Sequence, residues 1–190
     1  EEKGMISRER ALELLHKHVK NENMIKHSLA SEAVLRALAR ELGEDPDRWG
    51  LACLLHDVDV EITNADLTVH TKEAVTILRG EDVDEEIIEA VRLHNEVAHP
   101  GEKRSTKFQH ALAAGETVTG LITAAALVLP ERKIGLVKVK SVVKRMKEKA
   151  FARTVNRENI LECENLGLDI NRFVEISLKA MGEIADDLGL

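Results

Sequence analysis

The stretch Leu51–Asp59, LACLLHDVD, places His56 and Asp57 side by side at the end of an apolar, helix-like run. Imidazole and carboxylate form a mixed donor set suited to a divalent transition metal such as Fe, Mn, Ni, Co or Zn. Adjacent side chains diverge on a helix, so both reach one ion most easily where the helix ends. Two further residues offer the same chemistry. His27 shares a helical face with Ser31, Val34 and Leu38, which points its ring inward. Glu116 lies in a long apolar helical stretch, on a seven-residue stripe with Gln109 and Thr123. A carboxylate buried there must neutralise, find a cation or bind a metal. Taken singly, each residue has a structural alternative: a hydrogen-bonded core histidine for His27, and a solvent-border or lysine-paired carboxylate for Glu116. Asp59 and Glu61 read as solvated loop carboxylates or as spare acidic residues near a metal, and His99, before Pro100-Gly101, as a turn residue.

Helices must position these groups. Ser7 caps a first helix with Ala11, Leu14 and Leu15 on its apolar face. Asn21 or Asn23 starts a second, which carries His27 and stops at Gly43. Asp45-Pro46 is an N-cap and first-turn pair for a third, which delivers His56-Asp57. After a loop over 63–69, His70 opens a helix ending at Gly80. Asp84 caps another that runs to about Asn95 and carries His94. Thr106 caps a long helix reaching Leu129 before Pro130. On it, Ala113 and Gly120 beside Glu116 leave room for a neighbouring helix or a ligand. Beyond it, the pattern predicts a basic helix over 141–153, a helix capped by Asn156 and stopped by Gly167, and a final helix from Asp169 or Asn171 to Leu188. Val58-Val60-Ile62 is the best strand candidate, and it is short. The fold class expected is all-α.

Composition agrees. The 190 residues suit one domain with a real core. Hydrophobic residues make up 44% and aromatics only 2%, so the core must be aliphatic, as packed helices allow. Cys53 and Cys163 are far apart without a CxxC pair, and read as buried free thiols in a reducing cytoplasm. EEKGMIS lacks the basic and apolar regions of a signal peptide. Leu121–Leu129 is too short to cross a bilayer. The net charge of −7 argues against a nucleic-acid partner. It is uneven: residues 131–153 hold nine basic against two acidic side chains, a local +7 that leaves −14 for the remainder. Such a block attracts phosphate or another anion, or is simply a solvated helix face.

The order His27, His56-Asp57, then a late carboxylate resembles the HD-domain phosphohydrolase superfamily, whose order is H…HD…D. IKHSLASEAVLRALA, LACLLHDVDVE and the segment ending GETVTGL carry the likeness over about residues 20–130. It is closest to the small HDIG-type hydrolases, and VKVKSVVKRMKEKAFARTVNRENI resembles their C-terminal part. The resemblance implies one HD-type helical bundle over 1–190, with 131–190 as an elaboration. It implies His27, His56 and Asp57 as metal ligands, with Glu116 where the family has Asp. That change keeps the charge and lengthens the arm by about 1.5 Å. His70 resembles the extra histidine of two-metal members. His94 falls where those members carry a histidine pair, whose second position is here Asn95. The expectation is therefore one divalent ion rather than two, with His70, His94 and Asn95 serving a second metal or the substrate.

The function implied is hydrolysis of a phosphomonoester, nucleotide or related phosphate ester by a metal-activated water. Asp57 would orient the water, and His70 or His94 would stabilise charge or protonate the leaving oxygen. Arg104, Lys107, Lys144, Lys147 and Arg153 are the candidate phosphate contacts. The alternatives are a metal-bound sensor that binds a nucleotide without turnover, and a helical interaction module with structural histidines.

Overall fold

The computed structural model describes residues 4–190. Residues 1–3, part of the stretch read for a signal peptide, lie outside the described region. Ten α-helices and three short 3-10 turns make up the described chain, with no strand among the described residues.

The caps place the helices much as the side chains dictate. Ser7 accepts from Arg10 N at the start of α1 (Arg8–His18). Asn21, of the two candidates, caps α2 (Glu22–Leu42), which stops at Gly43 in the left-handed conformation (φ +71°). Asp45 and Pro46 open α3 (Pro46–Leu55). Then come α4 (Lys72–Gly80) and α5 (Glu85–Arg92), followed by α6 (Lys107–Leu127), which Thr106 and Gln109 start with a reciprocal capping box. Helix α2 packs most extensively on α3, then on α6 and α9 (Ile170–Glu183). Trp49 of α3 stacks on Phe108 of α6 at 5.4 Å between ring centroids, fixing α3 against the start of α6. Gly115 lets α6 and α2 approach: a Cβ there would sit 2.3 Å from Leu35 Cδ2. On the expected stripe, a Cβ at Gly120 would lie 3.2 Å from Val155 Cγ2, and Gly120 lines a cavity with Thr123 and His27.

Several expected elements differ. Val58-Val60-Ile62 forms no strand; successive turns run from His56, with Val58 N donating to Leu55 O and Val60 N to Asp57 O. Helix α5 ends at Arg92, so His94 stands in the following turn rather than on the helix. His70 precedes α4, whose N-cap Thr71 is at φ +85° and makes no side-chain cap. The basic helix is only α7 (Val139–Arg145). Turns follow because the Arg157 guanidinium donates to five carbonyls, those of Arg145, Glu148, Phe151, Ala152 and Val155. The Asn156-capped segment divides into α8 (Arg157–Leu161) and a 3-10 turn, Glu162–Leu166. The last helix breaks at Ile184 before α10 (Ala185–Leu188). Cys53 and Cys163 are buried free thiols. No described helix is long and apolar enough to cross a membrane.

Candidate metal centre

Asp57 stands at the middle of the site, with a histidine pair on each carboxylate oxygen. On one side, Oδ2 lies 3.4 Å from His27 Nε2 and 3.2 Å from His56 Nε2. On the other, Oδ1 lies 3.0 Å from His70 Nε2 and 3.3 Å from His94 Nε2. Within the pairs, the Nε2 atoms of His27 and His56 are 3.1 Å apart, and those of His70 and His94 are 3.2 Å apart. Two ligand atoms each about 2.1 Å from one ion, at angles of roughly 90–110°, stand about 3.0–3.4 Å apart. Both groups therefore have the spacing of donors around an ion.

The other ring nitrogen of every histidine is already committed. His56 Nδ1 donates to Cys53 O at 2.6 Å, and His94 Nδ1 to Val91 O at 2.6 Å. His70 Nδ1 donates to Asp59 Oδ1 at 2.6 Å. His27 Nδ1 donates to Thr119 Oγ1 at 3.1 Å, because that hydroxyl gives its own hydrogen to Glu116 O at 2.6 Å. Four bonds thus select one tautomer, with the Nε2 lone pair turned to the centre. Neutral lone pairs facing each other at these distances repel unless a cation lies between them. The donor set fits a divalent metal.

Protons take that place in the metal-free protein. Burial opposes a charge on His27, but the Asp57 and Glu116 carboxylates outweigh it and raise the pKa to about 10. His70 is likewise raised to about 9, against burial, by Asp57 and Asp59. Burial would raise Asp57, yet His56, His27 and His70 hold it well below the usual carboxylate range.

Glu116 faces the first group. Its Oε2 is 3.5 Å from His27 Nε2 and 3.9 Å from His56 Nε2, and its Oε1 accepts from Thr117 Oγ1. The longer arm still reaches the histidines. Asn95 does not join the second group: its amide donates to Leu67 O and His70 O, which ties the 67–70 turn to the end of α5. Arg104 is held by Glu162, Leu93 O and Glu96. Lys107, Lys144, Lys147 and Arg153 are exposed. None of these five cations lines the cavities beside the ligands, so the expected phosphate contacts of the basic segment are not brought to the site. Its short helix, ended by the turns around Arg157, leaves those side chains in solvent.

Thr119 escaped the sequence reading, and Asp59 and His99 do more than it assigned. Of its two readings Asp59 follows the acid near the metal group, not the solvated loop carboxylate, for it is fully buried: besides His70 it accepts from Thr71 N at 2.7 Å and Ala74 N at 3.0 Å. It replaces the missing side-chain cap of α4 while it orients His70. The HDVD spacing, two residues past Asp57, was the available signal. Thr119, buried and one turn beyond Glu116, had no signal in the sequence alone. His99 does more than turn the chain, since its Nδ1 accepts from Arg92 and its Nε2 donates to Thr71 Oγ1. That bond helps hold Thr71 in a conformation β-branched residues rarely adopt.

The family model of the HD domain matches residues 24–127. The chain belongs to the HD-domain family. The HD domain is the fold of a superfamily of metal-dependent phosphohydrolases that bind divalent metals, and the match spans all six of His27, His56, Asp57, His70, His94 and Glu116. No curated protein and no solved structure matches the chain. Within this HD domain, the candidate metal-binding side chains come from the second turn of α2, the end of α3, the turns flanking α4 and α5, and the middle of α6.

Proposed function

We propose that this HD domain is an HDIG-type phosphohydrolase that cleaves a phosphomonoester, nucleotide or related phosphate ester at a two-ion centre. The observation that carries the reading is the set of four Nε2 lone pairs converging on the two oxygens of Asp57, each fixed by a bond to Nδ1. His27, His56 and Glu116 would hold one ion and His70 and His94 the other, with Asp57 available to both. Divalent ions supply polarisation of a phosphoryl oxygen and activation of a water at neutral pH.

The chain's own residues do the rest. Asp57 orients the attacking water through its shared position. His70 and His94 act as ligands rather than proton donors, since each has its Nδ1 hydrogen engaged and its Nε2 turned to the centre. Asp59 and Thr119 keep His70 and His27 in the ligating tautomer. Burial of the site strengthens each of these electrostatic contacts. A divalent ion of the Fe, Mn, Ni, Co or Zn group suits the mixed donors. We read 1–190 as one HD-type domain, because α8 and its N-cap Asn156 border the same cavity as Asp57, His70 and His94. Its free buried thiols suit a reducing cytoplasm.

Elemental analysis of the purified protein, joined to a phosphate-ester screen with added metals, tests the reading. Bound metal and metal-dependent turnover are expected, both lost in His56→Ala and Asp57→Ala. Full metal and full turnover in those variants would overturn it. Tight nucleotide binding without turnover across several metals would make the domain a sensor instead.

A further inference from the structure

Beside the second donor group opens a cavity of about 310 Å³, which Asp57, His70 and His94 share with Leu67, Val97 and Asn159. Asn159 belongs to α8, beyond the residues matched by the HD model. It is 8% exposed, and its Oδ1 accepts from Arg104 Nη2 at 3.1 Å. A guanidinium only donates, so this bond settles which end of the amide faces Arg104. The Nδ2 group has no hydrogen-bond partner among the described residues. Arg104 cannot swing away to release the amide, because Glu162 and the Leu93 carbonyl grip it. Glu162 in turn accepts from His110 Nδ1 at 2.7 Å. A donor held in place at the cavity wall, with no acceptor in the protein, is open to an acceptor supplied from the cavity.

Its position says which part of a ligand that would be. Arg104 joins Asn159 to Glu162, and Glu162 to His110. His110 precedes Glu116 by six residues on α6, about 9 Å along the helix axis. Asn159 shares the cavity lining with Asp57, His70 and His94; ions held there would take the phosphoryl oxygens, which leaves the Asn159 donor for the organic group of an ester. Leu67 and Val97, 53% and 51% exposed, give that end of the cavity an apolar rim. No lysine or arginine lines the cavity among the described residues, while Glu96 and Glu116 add carboxylates to Asp57. A polyphosphate chain would meet negative charge where it needs cations. A single phosphate on a neutral organic group would not. The cavity volume is at the small end for organic ligands, room for one compact molecule.

We propose that Asn159 is a specificity-determining donor, and that the preferred substrate is a phosphate monoester whose uncharged organic group presents a hydrogen-bond acceptor. This rests on the phosphohydrolase reading above and extends it to the substrate class. It also gives the C-terminal helices a functional role, because they supply the substrate contact that the matched HD segment lacks.

The test compares the metal-loaded wild-type chain with Asn159→Asp and Asn159→Ala. Asn159→Asp keeps the acceptor for Arg104 but replaces the donor by a charged oxygen, whereas Asn159→Ala removes the donor without adding charge, so a loss common to both reports the donor. The probes are glucose 6-phosphate, adenosine 5′-monophosphate, phenyl phosphate and ATP. Phenyl phosphate has no acceptor on its organic group. The readouts are kcat and KM, binding by calorimetry, metal content and Tm. The wild type should prefer the better of the two acceptor-bearing monophosphates to ATP by at least about tenfold in kcat/KM. Both variants should lower its preference over phenyl phosphate by about three- to tenfold, through KM. Metal content should be unchanged, and Asn159→Asp should keep the wild-type Tm. Preference for ATP, or an unchanged monophosphate preference in both variants of an active enzyme, would overturn the inference while leaving the hydrolase reading intact. Monophosphate binding that both variants weaken, without turnover by the wild type, would overturn the hydrolase reading and sustain the role of Asn159. Neither binding nor turnover of any probe would overturn both.

Discussion

Replacing Asp59 by Asn should separate the two donor groups. The fully buried carboxylate accepts three hydrogen bonds, from His70 Nδ1 at 2.6 Å, Thr71 N at 2.7 Å and Ala74 N at 3.0 Å. An amide of the same shape has one oxygen to offer. With that oxygen on His70, its NH2 faces two backbone N–H groups, and two buried donors lose their acceptor at about 1–3 kcal/mol each. With the oxygen on Thr71 and Ala74, both backbone bonds survive as neutral ones, and the NH2 turns to His70. The second arrangement costs less, about 2 kcal/mol for exchanging charge-assisted bonds for neutral ones. It also forces His70 Nδ1 to accept, which moves the ring hydrogen to Nε2 and removes the lone pair aimed at the second ion. Asp59→Asn should therefore fold with a Tm lower by about 4–8 °C. It should bind the second ion about 10- to 100-fold more weakly, the usual effect of losing a histidine's outer partner. The first group, which Asp59 does not touch, should keep its ion. Metal titration followed by elemental analysis reads the stoichiometry directly. Two tightly held equivalents in Asp59→Asn, at wild-type affinity, would refute the assignment of Asp59 and the tautomer argument behind it.

Asp57→Ala should lose both metal equivalents, whereas His56→Ala and His94→Ala should each lose mainly one; elemental analysis of the three variants gives the pattern. Gly115→Ala would drive a methyl to 2.3 Å from Leu35 Cδ2. Thermal unfolding should show a loss of about 1–3 kcal/mol, and affinity at the first group should fall as Glu116 shifts. In the metal-free protein His27 and His70 are protonated up to about pH 10 and about pH 9. These raised values stabilise the metal-free fold fully below the ordinary histidine pKa, and that contribution is lost as pH rises through about 9 and about 10. Metal must displace the same protons, so affinity should increase with pH from about 6 to about 9. Calorimetry in buffers of different ionisation enthalpy should detect proton release on metal binding, and its absence would count against both histidines as ligands.

The elements that hold the first group were legible because their signals are local. Ser7, Asn21, Asp45 and Thr106 cap helices as their side chains require, and Gly43 stops α2 because only its missing Cβ makes φ +71° easy. Inward spacing on α2 and α6 pointed His27 and Glu116 at the interior before any packing was known. The C-terminal third was harder. Lys144 and Lys147 continue a helical pattern in sequence, but Arg157, twelve residues past Arg145, draws the carbonyls of that segment into turns. A long-range guanidinium leaves no periodic trace.

The second donor group marks the boundary most clearly. The chain's residue types alone determine that His56 and Asp57 are adjacent, that α3 ends where they begin, and that His70 and His94 have the chemistry of ligands. Only the tertiary structure decides that Asp57 presents one oxygen to each histidine pair, since this depends on turns that follow no repeat. The same holds for Asp59 and Asn159. Burial and hydrogen-bond partners, set by segments distant in sequence, turn one from a loop acid into the anchor of a ligand and give the other a donor facing the cavity.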